Sequence, residues 1–184
     1  MKLETDRLVL RQMTEKDVKD IVRNINNLNV SRWLAVVPYP YCKKDAINWI
    51  KKGKEYAKQK PRSKYPFGIE LKEEGKIIGG IGIHDINFDV SKAEIGYWLG
   101  QKYWGKGYGG EALRTVLDFA FNKLKLKRLE AKVYEGNERS AGLLEKFGFK
   151  KEGFLRESCR SKADKKIHSE YVYGLLKREY KRRK

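Results

Sequence analysis

With 184 residues, 40% of them hydrophobic and four of them Trp, the chain can bury one sizeable core, and its length predicts a single domain over 1–184. Its 42 Lys and Arg against 24 Asp and Glu give a net charge of +18, which favours polyanionic surroundings such as RNA and disfavours a polyamine partner. No stretch approaches the roughly 18 apolar residues of a membrane span, the N-terminus has no signal-type run, and Cys42 and Cys159 lack metal or disulfide-framework spacing, so a cytoplasmic protein without a metal or membrane contact is expected.

Thr5 to Met13 reads as a first strand, and Thr14-Glu-Lys-Asp17 as a capping box before a helix carrying Val18, Ile21, Val22, Ile25 and Leu28. The Pro-containing break Val37-Pro-Tyr-Pro40 precedes a second helix with Ala46, Ile47, Ile50 and Ala57, which Gly53 weakens. Phe67, Ile69 and Leu71 alternate with polar or small residues, Glu73-Glu-Gly-Lys76 is a turn, and Ile77 to Ile83 completes a hairpin. Gly79, Gly80 and Gly82 give that last strand little bulk, so a bulge or a closely packed neighbour is expected there.

The next strand is Ala93 to Gly100, followed by Tyr103-Trp-Gly-Lys-Gly-Tyr-Gly-Gly110 and a helix from Glu111 to Leu124 with an apolar stripe of Leu113, Val116, Leu117, Ala120 and Leu124. Leu129, Ala131 and Val133 alternate with Arg128, Glu130 and Lys132 in a further strand. A short helix from Glu138 to about Phe147 stops at Gly148, strands near Phe149 to Cys159 and Ile167 to Leu176 follow, and residues 177–184 form a basic tail.

The glycine-rich run carries the most chemical information. Glycines that let successive N–H groups converge, placed where a helix begins and its dipole is positive, make an anion site that suits phosphate. Gly105-x-Gly107-x-x-Gly110 matches the dinucleotide fingerprint formally, but the 74 residues that remain do not supply the further βα units that a dinucleotide fold needs. A nucleotide P-loop is disfavoured because Lys106 is followed by Gly107 and not by the hydroxyl residue that would bind magnesium.

Five segments stand in one order along the chain: Leu3-Glu-Thr-Asp-Arg-Leu-Val-Leu-Arg11, Glu94-Ile-Gly-Tyr-Trp-Leu99, Tyr103-Trp-Gly-Lys-Gly-Tyr-Gly-Gly-Glu-Ala112, Asn137-Glu-Arg-Ser140 and Glu145-Lys-Phe-Gly-Phe149. Together they resemble the GNAT superfamily of acyl-CoA-dependent N-acyltransferases, and within it the RimJ/RimL type that acetylates ribosomal-protein N-termini. The resemblance implies an α+β fold with a mixed, mostly antiparallel sheet of about six to seven strands flanked by about four helices. It also implies acetyl-CoA as co-substrate and no metal.

In that family the amides of Gly105, Lys106, Gly107, Tyr108, Gly109 and Gly110 would hold the pyrophosphate, and the main chain of Tyr97, Trp98 and Leu99 the pantetheine. Asn137 and Lys146 belong to the same implied cofactor site, although Asn137 also suits a plain helix cap. Trp104 stands where the superfamily usually has Gln or Arg, which implies packing in place of a phosphate contact. Gly96 is expected to mark a bulge at which its strand splays from Leu129 to Tyr134.

Acetyl transfer needs a neutral amine and then a proton for the departing thiolate. Neutralising a lysine-like amine at pH 7 costs roughly 4.6 kcal/mol and an α-amine only about 1.4, so an N-terminal acceptor needs the weaker base. By resemblance Glu94 is the catalytic base, acting through water, against the plain alternative of a glutamate paired with a surface cation. The family's usual tyrosine acid is replaced by Leu144, and Ser140, one helical turn after Asn137, resembles the serine of the RimL branch and is the candidate acid, with Tyr173 or water as alternatives. His84 and His168 read as structural histidines. A protein N-terminus near ribosomal RNA is the expected acceptor. A small amine such as a polyamine, amino acid or antibiotic, and a non-catalytic RNA-binding module on the same fold, are the alternatives.

Overall fold

A computed structural model describes residues 1–180 of the chain. Eight strands form one sheet in the order β1-β2-β3-β4-β5-β6-β8-β7, antiparallel throughout except for the parallel pair β5 and β6. They are β1 (Lys2–Glu4), β2 (Leu8–Arg11), β3 (Tyr65–Leu71), β4 (Lys76–Asn87), β5 (Lys92–Leu99), β6 (Arg128–Tyr134), β7 (Lys150–Arg160) and β8 (Ile167–Leu176). The helices are α1 (Val18–Ile25), α2 (Leu28–Ser31), α3 (Lys43–Lys58), α4 (Tyr108–Asp118) and α5 (Glu138–Lys146). The α+β architecture matches expectation, with one strand more than predicted.

The extra strand arises at the N-terminus. Thr5 turns the chain back on itself, its amide donating to the Leu8 carbonyl and its Oγ1 accepting from the Leu8 amide at 2.8 Å, so the run read as one strand is two. The first helix is likewise divided, because Asn26 and Asn27 bond elsewhere. Asn26 Oδ1 accepts from the Tyr41 amide, and Asn27 caps α2 by accepting from the Asn29 amide. The helix after the glycine run starts at Tyr108, earlier than expected, and closes with a π-turn over Phe119–Lys123.

Two apolar clusters sit on opposite faces of the sheet. On one, Ala112, Leu113, Val116 and Leu117 of α4 pack against Ile81, Ile83, Ala93 and Ile95, with Tyr97 and Leu99 at the margin. On the other, Val18, Ile21 and Ile25 of α1 and Ala46 and Ile50 of α3 cover Met13 and Ile77, with Trp98 and Trp104 alongside. Alternation along β5 therefore aims Ala93, Ile95, Tyr97 and Leu99 toward α4, and Glu94, Gly96 and Trp98 toward α1 and α3.

The glycines of β4 are explained by that second face. A Cβ at Gly80 would run into the Trp98 indole, and one at Gly82 would lie 3.1 Å from the Tyr65 carbonyl. Gly96 is not a bulge: it pairs regularly with Gly82, and the irregularity lies in β4 between His84 and Asn87. Gly96 has its own steric cause, because a Cβ there would lie 3.2 Å from His84 Nε2. Of the predicted basic tail, residues 177–180 turn back on the fold, with the Lys177 amide bonded to the Lys127 carbonyl, and 181–184 lie outside the described residues.

Candidate active site

Gly105 and Gly107 take φ values of +74° and +82°, conformations that favour glycine, and Gly107 is the N-cap of α4. The amides of the first turn of α4 therefore face the loop Gly105-Lys106-Gly107 and sum with the helix dipole into an anion cradle. Gly109 and Gly110 let α4 pack closely against α5: Cβ atoms there would meet Leu99 and Leu143 at 3.4 and 3.5 Å, and Phe147 at 3.6 Å. Lys146 is exposed at the end of α5 beside Phe147. Trp104 packs and also bonds: its indole N–H donates to the Leu99 carbonyl at 2.8 Å, and the Arg139 guanidinium lies 4.4 Å over its ring.

The N-terminal turn braces this loop, a role that reading the sequence did not assign. Arg7 donates from NH1 to the Lys106 carbonyl at 3.1 Å, pairs with Glu111 through NH2 at 2.6 Å, and lies 4.6 Å over the Tyr108 ring. Glu111, in the first turn of α4, also accepts from Thr5 Oγ1 and from the Arg7 amide. Burial works to raise the Glu111 carboxyl, but the Thr5 and Arg7 donors outweigh it and hold the group below the ordinary carboxylate range. The signal was available, since Thr5, Arg7 and Glu111 all stand in segments quoted for the resemblance, but only the fold brings them together.

Between β5 and β6 the sheet opens. Their parallel ladder covers only Lys92, Ala93 and Glu94, paired with Arg128, Leu129 and Glu130, whereas residues 95–99 stay paired with β4. The β5 edge of Tyr97, Trp98 and Leu99 thus faces the gap and has main-chain groups to offer an extended ligand. Asn137 caps α5, accepting from the Ser140 amide at 3.4 Å. Ser140 Oγ lies 2.9 Å from the Tyr97 hydroxyl, which also donates to the Ser140 carbonyl at 3.3 Å, so a side-chain bridge crosses from β5 to α5. Burial pushes the Tyr97 phenol up to about 12, which keeps it a proton donor.

A polar cleft of about 70 Å³ adjoins this bridge, lined in part by Asn137, Glu145, Tyr171 and Tyr173. Tyr173 is fully buried and donates to Glu145 Oε1 at 3.1 Å, so its hydroxyl is committed within the fold. Leu144 is likewise wholly buried.

Glu94 projects from the other face of the sheet. Its carboxylate lies 3.5 Å from Lys132 Nζ, and that contact, more than any other, holds the Lys132 ammonium above its ordinary range. The cation pairing expected as the plain alternative is therefore present, although on a central strand. His84, directly opposite Glu94 in the register, brings a ring nitrogen within 4.8 Å of the Glu94 and Asp85 carboxylates. The arrangement is two-sided: a carboxylate and an imidazole on the α1/α3 face, hydroxyls on the α4/α5 face, and a gap in the sheet between them.

Known proteins resemble this chain in sequence and in fold. The acetyltransferase (GNAT) domain family matches residues 7–150. The uncharacterized N-acetyltransferase p20 of Bacillus licheniformis is 34% identical over 178 residues, covering 97% of each chain. The ribosomal protein uS5 alanine N-acetyltransferase of Escherichia coli is 28% identical, covering 85% of this chain and 82% of its own. Mycobacterium smegmatis RimJ in complex with CoA-disulfide superposes with a TM-score of 0.80 at 23% identity, over 92% of this chain and 81% of its own. With one family spanning the N-terminal brace, the glycine loop, the sheet gap and α5, the chain belongs to the GNAT family and is an N-acetyltransferase.

Proposed function

We propose that the protein moves an acetyl group from acetyl-CoA to the N-terminal α-amine of a protein by direct attack within a ternary complex. The opening of β5 from β6 carries the proposal, because Glu94 and the Tyr97–Ser140 pair leave β5 on opposite faces beside that gap, which supports reading them as proton acceptor and proton donor. In this reading the amides of Gly105 to Gly110 bind the pyrophosphate, the main chain of Tyr97 to Leu99 and the Asn137 amide bind the pantetheine, and Lys146 faces the phosphate end. Glu94 draws the acceptor ammonium and takes its proton through water. The amine then attacks the thioester carbonyl, a β5 amide steadies the oxyanion, and Ser140, held by Tyr97, returns a proton to the sulfur.

The choice of acceptor draws on the uS5 alanine N-acetyltransferase relative and on the lower cost of neutralising an α-amine, about 1.4 kcal/mol against roughly 4.6 for a lysine-like amine. Bound CoA-disulfide in the RimJ structure supports the choice of co-substrate. A small cationic amine is the second reading, favoured by the Asp85 and Glu94 carboxylates that converge on the acceptor face. Purified protein mixed with acetyl-CoA and a panel of α-amine peptides, polyamines and small amines, with free thiol followed, separates these readings. Release with peptides alone is expected. Release only with small amines supports the second reading, and no release alongside salt-sensitive RNA binding would sink both.

A further inference from the structure

His84 is paired across β4 and β5 with Glu94, so the two side chains leave the same face of the sheet as close neighbours. Its Nδ1 lies 3.0 Å from Asp85 Oδ2. Asp85 sits at φ +52° within the β4 irregularity, where the local distortion turns its carboxylate back toward the preceding imidazole. An ionised carboxylate only accepts, so the hydrogen of a neutral imidazole resides on Nδ1 and Nε2 keeps a lone pair. That Nε2 lies above Gly96, 3.2 Å from where a Cβ would stand, and Gly96 pairs with Gly82. The absence of a side chain at Gly96 leaves room for Nε2 on the strand that bears Glu94.

From this geometry we infer that His84, oriented by Asp85, is the proton acceptor that completes the base formed by Glu94. The inference rests on the acetyl-transfer reading and deepens it. The acceptor ammonium yields a proton to the Glu94 carboxylate through water. The carboxyl passes a proton through water to His84 Nε2, which becomes imidazolium, and the carboxylate is restored beside Lys132. The freed amine lone pair forms the C–N bond, the C–S bond breaks, the sulfur takes the Ser140 hydroxyl proton, and the second proton of the acceptor nitrogen passes through water to Ser140, which restores the hydroxyl and leaves a neutral amide. The imidazolium then loses its proton to solvent. Its charged neighbours are Asp85 on its own strand, Glu94 on β5, Lys64 against Asp85 at 3.3 Å, and Lys132 against Glu94 at 3.5 Å.

Nitrogen NMR of the full chain across pH tests the arrangement without an acceptor. The expected result is a neutral imidazole with its proton on Nδ1 in the wild type and a move of that proton toward Nε2 in Asp85→Ala, which removes the acceptor that fixes the tautomer. A proton on Nε2 in the wild type, or an Nδ1–H form unchanged in Asp85→Ala, overturns the inference. In turnover assays with the α-amine peptides, His84→Gln is expected to lower kcat roughly tenfold to a hundredfold and to change the pH profile, with acetyl-CoA affinity unchanged. Full turnover in His84→Gln, while Glu94→Gln is impaired, removes His84 and leaves Glu94 as sole base. The reverse pattern removes Glu94 from the proposed function and with it the relay from Glu94 to His84.

Discussion

Arg7 shows how a residue remote in sequence governs the geometry of the anion loop. Its guanidinium spans the Lys106 carbonyl and the Glu111 carboxylate, and its backbone amide reaches Glu111 as well, so loop and helix start are tied to one turn of chain. A Cβ at Gly107 would lie 3.3 Å from Arg7 NH2, which measures how closely the brace approaches the loop. Arg7→Ala should therefore weaken acetyl-CoA binding about fivefold, near 1 kcal/mol, with kcat almost unchanged. Arg7→Lys separates charge from geometry, because an ammonium keeps the charge and loses the two-pronged fork. If calorimetry gives Arg7→Lys the wild-type affinity while Arg7→Ala is weak, the residue acts as a charge, and the bracing role fails.

At the scale of elements, a half-buried ion pair joins the start of α1 to the sheet. Arg11 of β2 places NH1 and NH2 each 2.8 Å from the Asp17 carboxylate and its Nε 2.5 Å from Glu70 of β3. Burial works to raise the Asp17 carboxyl, and the Arg11 and Thr14 donors overcome it, so the folded value is depressed. A depressed carboxylate contributes stability that is present above its unfolded value and is lost as pH falls through the folded one. Asp17→Asn should thus cost about 2 kcal/mol at neutral pH, in the range for hydrogen bonds to a charged group at a half-buried site. In urea unfolding, the gap from wild type should close as pH drops below about 4. A gap that persists undiminished in acid would show that packing, not charge, holds this corner.

Much of this element plan was legible in the sequence where local and tertiary demands agree. The capping box Thr14 to Asp17, the hairpin turn at Gly75, the glycine loop and the alternation of β6 each follow from spacing alone. The errors fall where a side chain outbids the backbone pattern. The Thr5 hydroxyl folds one apolar run into two strands, and Asn26 and Asn27 stop a helix whose periodicity continues. The site divides the same way. Glycines and the Asn137 cap carry their meaning locally, but the Tyr97 bridge to Ser140 and the pairing of His84 with Glu94 depend on register across strands and helix, which no short window of sequence contains.

For the whole molecule, the excess of cations sets the field in which an anionic co-substrate approaches. A net +18 acts at long range, whereas in the proposed function the glycine cradle holds its anion at contact through neutral amides, and the two contributions respond differently to salt. The screening length shrinks from about 10 Å at 0.1 M to about 3 Å at 1 M, which removes the distant cations from the encounter and spares hydrogen bonds made at van der Waals range. Acetyl-CoA KM should accordingly rise severalfold over that interval with kcat nearly flat, the loss appearing as a slower association rate. Stopped-flow binding checks this directly. If association is independent of salt and dissociation alone accelerates, the surface charge does not steer the co-substrate, and its role must be sought in the acceptor or in stability.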